Sequence, residues 1–192
     1  MSAHELPNVK ILAFVGMPGA GKSSAVDYIS TKGLPKVYFG GVIYQAMEDA
    51  GIERTPESET KFREFIRESE GKDFVVKRAI DQFYSLIDAG QHKILADGLY
   101  TWTEFKYLKQ EFHSRLITVA ITAPRELRYT RLEHRKERPY NEQEARERDY
   151  SEIENLEKGG PIAIADYTIV NNNNNLDTLY EQIDDLLAAI DF

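Results

Sequence analysis

Gly16-Met17-Pro18-Gly19-Ala20-Gly21-Lys22-Ser23 sets glycines, a lysine and a hydroxyl in the spacing G-x-x-x-x-G-K-[ST]. The glycines let successive backbone N–H groups turn inward around phosphate oxygens, and a helix starting behind them adds its partial positive charge. Lys22 has the reach for the outer phosphates, and Ser23 can hold a magnesium ion. The segment Gly16, Met17, Pro18, Gly19, Ala20, Gly21, Lys22, Ser23 and Ser24 is therefore expected to bind a nucleoside triphosphate. Lys10 to Val15 before it is apolar and reads as a buried strand. Ser24 to Lys32 after it reads as a helix with Ala25, Val26 and Ile29 on one face and Gly33 at its stop.

A second carrier of chemistry is Asp97, which ends the apolar run Lys93-Ile94-Leu95-Ala96. An acid there stands at the carboxyl edge of a sheet, where ligands sit. It could hold the magnesium, through water, or accept a substrate proton. Arg128, Arg131, Arg135 and Arg138 follow Pro124 in steps that share one face of a helix. Arginine forks match the charge that spreads over a phosphoryl group in transfer, so Arg128, Arg131 and Arg135 are catalytic candidates. A solvated face paired with Glu133 and Glu137 is the competing reading. Arg148-Asp149 reads as a structural pair. Arg67 and Arg78 are the candidates for acceptor binding, although Glu59, Arg63 and Arg67 also fit a ladder of helix ion pairs. His4, His92, His113 and His134 show no metal-ligand spacing and read as surface residues.

These residues need a scaffold of strands alternating with helices. Candidate strands are Ile11–Val15, Lys36–Phe39, Lys93–Ala96, Leu116–Ile121 and Tyr167–Val170. Val76, Ile80, Phe83 and Ile87 make a helical stripe, as do Leu179, Ile183, Leu186 and Ile190. Thr101-Trp102-Thr103-Glu104 is a capping box opening another helix, and Asn175 is an N-cap. The single domain divides into a core (8–40, 90–123 and 159–192), a helical substrate-binding insertion (41–89) and a lid (124–158).

The chain has 192 residues, a net charge of -8 and no cysteine, which excludes disulfides and thiolate metal sites within it. The negative field argues against nucleic acid as a partner. No apolar run spans a bilayer, and Met1-Ser2-Ala3-His4-Glu5 lacks the features of a signal peptide. The expectation is a cytoplasmic protein with no membrane partner.

Together these motifs resemble the P-loop nucleotide kinases, and within them the dephospho-coenzyme A kinases and a related, largely archaeal family of kinase-like proteins. The likeness runs over nearly the whole chain. Thr55-Pro56-Glu57, Lys61-Phe62, Lys77-Arg78, Ala123-Pro124 with Arg128 and Arg131-Leu132, and Ala165-Asp166-Tyr167-Thr168-Ile169-Val170-Asn171 carry it beyond the glycine loop. The resemblance implies an α/β/α P-loop fold of the nucleoside monophosphate kinase type, with five parallel strands in the order 2-3-1-4-5. It also implies ATP and magnesium, transfer of the terminal phosphoryl group to a small phosphorylated acceptor, and Asn171 beside the adenine. Phe39-Gly40-Gly41-Val42-Ile43-Tyr44 lacks the acid usual after the second strand, and Tyr44 and Tyr100 stand where the family tends to have arginines. That leaves Asp97 as the remaining base. A nucleotide-binding regulatory protein with weak or lost kinase activity is the alternative reading.

Overall fold

Ile11, Leu12, Ala13, Phe14 and Val15 are all buried, yet they alternate between two cores. Ile11, Ala13 and Val15 face one layer of helices and Leu12 and Phe14 the other, as a strand covered on both sides requires. This computed structural model describes residues 8–136 and 139–192, apart from the side chains of residues 56, 57, 60, 63 and 67. The strands are β1 (Lys10–Val15), β2 (Lys36–Tyr38), β3 (Lys93–Asp97), β4 (Leu116–Thr122) and β5 (Tyr167–Val170). They form one parallel sheet in the order β2-β3-β1-β4-β5, as the resemblance implied.

Helices α1 (Lys22–Ser30) and α9 (Leu176–Ala189) cover one face. They bury Ala25, Val26, Ile29, Leu179 and Ile183 against Leu12, Phe14 and Val119. Helices α4 (Phe74–Asp88) and α5 (Trp102–Phe112) cover the other, with Phe83 and Phe112 edge to face at 5.5 Å between centroids. Each large side chain so buried contributes about 1.5–3 kcal/mol. The stretch expected to be an insertion (41–89) holds most of α2 (Phe39–Asp49), α3 (Pro56–Ser69) and α4, which enclose a small core of their own around Val42, Met47, Phe62 and Phe74. The stretch expected to be a lid (124–158) carries α6 (Arg125–Glu133) and α7 (Glu142–Leu156), and the short α8 (Gly159–Ala163) leads into β5.

The capping box forms as read: Thr101 Oγ1 accepts from the Glu104 N–H at 3.0 Å, and Glu104 Oε2 accepts from the Thr101 N–H at 2.9 Å. Asn175 caps α9 through the Asp177 N–H at 2.9 Å. The second strand differs from expectation by ending at Tyr38. Phe39 already belongs to α2, because the Tyr38 ring lies over Gly40 and Gly41, whose missing side chains leave it room. Among the described residues no helix is long and apolar enough to cross a membrane.

Candidate active site

β1 delivers the chain into a loop that ends at Gly21, the left-handed N-cap of α1 at φ 112°. The loop is clasped from behind. A side chain at Gly19 would put its Cβ 2.6 Å from the Arg128 carbonyl oxygen, and one at Gly21 would strike the Asn171 amide nitrogen. Asn171 in turn donates to the Ala20 carbonyl at 2.8 Å. Inside the loop, the Lys22 ammonium donates to the Gly16 and Met17 carbonyls at 2.6 and 3.2 Å. Its burial, followed by the positive charge of Lys158, pushes its pKa down to about 7 even though Glu152 opposes the shift.

The loop opens on a cleft of about 870 Å³ at the carboxyl edge of the sheet. Ser23 and Ser24 line it from α1, Tyr38, Phe39 and Phe74 from the insertion side, and Tyr100 and Thr101 from the loop before α5. The lid side supplies cations. Arg131 donates to the Gly19 carbonyl at 3.2 Å, to Asn171 Oδ1 at 3.2 Å and to Asn174 Oδ1 at 3.2 Å, joining the glycine loop to the segment after β5. Arg135 lines the cleft with its side chain exposed. Arg148 donates through Nε to Glu152 Oε1 at 3.1 Å and also to the Tyr140 hydroxyl. Lys158 donates to Glu152 Oε2. Burial alone would raise the Glu152 carboxyl, but the Lys158 and Arg148 cations beside it outweigh that and hold it below the usual range.

The expected residues are thus gathered unevenly. Lys22, Ser23, Ser24, Arg131, Arg135 and Asn171 share the cleft. Arg128 does not: it is buried, donating to both Asp149 oxygens at 3.0 and 2.6 Å and to the Pro18 carbonyl at 2.9 Å. The single arginine face fails because α6 ends at Glu133, so Arg135 lies beyond the helix. Arg148 and Asp149 are not each other's partners either, since adjacent helical residues point about 100° apart. Asp97 stands opposite Tyr38 in the β2–β3 register, with Lys36 Nζ 3.1 Å from its carboxylate, beside the cleft and not in its lining. Arg78 is exposed, its guanidinium 5.4 Å from the Phe74 ring centroid, and also lies outside the lining. Arg138 and the Arg67 side chain lie outside the described residues.

Among the described residues there is no cluster of three or more His, Cys, Asp or Glu able to hold a metal. The Ser23 hydroxyl, which lines the cleft, is an oxygen donor of the kind magnesium takes together with waters and substrate phosphates. Sequence reasoning passed over Lys158, Glu152 and Arg148 as site residues. The Arg148–Glu152 spacing of four was a usable signal for that ion pair; Lys158 carried none, since only the fold brings it to the cleft.

Residues 12–155 match the model of a family described as an AAA domain. A UPF0200 protein of Thermococcus kodakarensis is 32% identical over 165 residues, covering 84% of this chain and 88% of that protein. A UPF0200/UPF0201 protein of Archaeoglobus fulgidus is 32% identical over 185 residues, and this chain spans 56% of its length. The solved structure of shikimate kinase from Acinetobacter baumannii in complex with shikimate shares the fold, with a TM-score of 0.57 over 97% of each chain at 20% identity.

Proposed function

We propose, from the premise that this chain belongs to the UPF0200 family of P-loop kinase-like proteins, that it is an ATP- and magnesium-dependent small-molecule kinase. Its acceptor is nucleotide-like, a nucleoside monophosphate or dephospho-coenzyme A, and its place of action is the cytoplasm. The observation that carries the reading is Lys22, seated on two carbonyls of its own loop in a cleft that also collects Arg131, Arg135, Arg148 and Lys158. Such a cavity suits a polyphosphate.

In this reading the loop amides and Lys22 hold the phosphates, Arg131 and Arg135 face the charge that develops in transfer, and Asn171 borders the nucleotide. Ser23, with Asp97 through water, would hold magnesium, which neutralises phosphate charge. The acceptor oxygen bonds to the terminal phosphorus while the bond to the bridging oxygen breaks, its electron pair leaving with ADP. The acceptor's proton passes to Asp97 through water. Arg67 and Arg78 are proposed for the acceptor's own phosphate.

The test is ADP release with magnesium-ATP over nucleoside monophosphates, deoxynucleoside monophosphates and dephospho-coenzyme A. Acceptor-dependent release, lost in Lys22→Ala, is expected. Tight ATP binding with no release on any acceptor would favour the regulatory reading, for which the altered positions Gly41, Tyr44 and Tyr100 speak. Full activity in Lys22→Ala would overturn the mechanism.

A further inference from the structure

The cleft contains a buried cation that the glycine loop does not account for. The Lys158 side chain is 3% exposed, donates to Glu152 Oε2, and holds its ammonium 4.8 Å from the centroid of the Tyr100 ring. Glu157 turns the chain into this position by adopting a left-handed conformation at φ 52°, and the Lys158 N–H closes the end of α7 on the Glu152 carbonyl at 3.2 Å. Just beyond, Gly160 lies so close to the Trp102 ring that a Cβ there would meet it at 2.7 Å. Trp102 is itself stacked on Phe105 at 5.3 Å. Lys158 is therefore anchored through α5 to the sheet, whereas Arg131 and Arg135 belong to α6 and the chain just after it.

Three cationic side chains, Lys158, Arg148 and Lys22, gather around this part of the cleft, and two carboxylates, Glu152 and Glu104, act on Lys158. Glu152 is one carboxylate shared between Lys158 and Arg148. The buried Glu104 accepts from the Tyr100 and Thr101 N–H groups at 2.9 Å each. Lys22 lines the same cavity. Surplus positive charge out of water is costly unless an anion meets it, and a phosphoryl group between Lys22 and Lys158 is such an anion.

We propose that Lys158 is a second catalytic lysine, whose ammonium contacts the non-bridging oxygens of the terminal phosphoryl group as that group leaves the triphosphate, with Glu152 as the positioning residue that aims it. This deepens the kinase reading above and rests on it. Lys158 keeps its proton throughout, while the acceptor–phosphorus bond forms and ADP departs with the electron pair of the broken bond.

The experiment compares binding of a non-hydrolysable magnesium-ATP analogue with binding of magnesium-ADP plus aluminium fluoride, which imitates the phosphoryl group in transit. Lys158→Met should hold the ATP analogue within about threefold of the unaltered protein and lose about 100-fold on the fluoride complex, the scale of one lost transition-state donor. Lys158→Cys gives the only thiol in a chain with no cysteine, so alkylation with 2-bromoethylamine regenerates an ammonium there and should recover about tenfold or more of that loss. Thermal melts of both variants separate folding losses from binding losses. Equal weakening of both ligands, unchanged fluoride binding, or an alkylated Lys158→Cys variant that recovers nothing would overturn the proposal. Failure of the unaltered protein to bind ATP at all would instead remove the kinase reading beneath it. Binding of ATP without the fluoride complex would refute the transfer role alone.

Discussion

Lys22 holds its charge against its own loop, and this has a pH signature. Its folded pKa lies at about 7 because burial, then Lys158, disfavour the ammonium, whereas an unperturbed lysine titrates at about 10.4. Phosphate oxygens would restore that charge. Between about pH 7 and pH 10, binding therefore draws a proton onto Lys22, so affinity falls as pH rises through the window and is indifferent to Lys22 below it. Calorimetry inside that window, in buffers of different ionisation enthalpy, should show this uptake. Burial also holds Lys158 below its usual range, even with Glu152 beside it. Lys22→Arg keeps the positive charge without the titration and should reduce uptake by about one proton. Equal uptake in Lys22→Arg would show that the ammonium was already charged. The P-loop was legible because its donors are contiguous in the chain. Lys158 was not, since its position depends on a left-handed turn at Glu157 and on Trp102, far earlier in the sequence.

At the scale of elements, the joint between α6 and α7 is a buried ion pair with the glycine loop hung on it. Arg128 engages both oxygens of Asp149 and also donates to the Pro18 carbonyl, while the Tyr129 hydroxyl donates to Asp149 at 3.2 Å. Asp149→Asn would leave the guanidinium buried against a neutral amide. Unpairing a buried charge costs about 3–5 kcal/mol, so urea unfolding should show a loss of that order, and nucleotide affinity should fall because Pro18 loses its support. A loss under about 1 kcal/mol, the scale of a solvated surface pair, would mean water already reaches it. The local code was readable where it is local: strands β1 and β5, the capping box at Thr101 and the cap at Asn175 follow from adjacent residues. The arginine stripe was misread because periodicity assumes that the helix continues. The chain instead turns after Glu133, where the Leu132 carbonyl accepts from the Tyr140 N–H at 3.2 Å.

Across the whole molecule, the parallel sheet is the floor of the cleft, and residues of the expected insertion (41–89) and expected lid (124–158) line its walls. The root of the lid is pinned, since Arg128 and Arg131 bind loop carbonyls at Pro18 and Gly19. Arg135, past the end of α6, reaches the cleft from an exposed position. A triphosphate would give this cation a partner, and lids commonly close on their substrates. Nucleotide should therefore protect the lid unevenly: strongly around Arg135 and Lys136, and little from Arg125 to Leu132, which the pinned root already holds. Trypsin cleaves after arginine and lysine, so cleavage at Arg135 and Lys136 should slow several-fold with a non-hydrolysable magnesium-ATP analogue. Hydrogen exchange across residues 124–158 should show the same gradient. Identical digestion with and without the analogue would mean that the lid does not respond to nucleotide. Uniform protection across the lid would mean instead that α6 moves with it, and the contacts at Pro18 and Gly19 would then have to break and reform in each cycle.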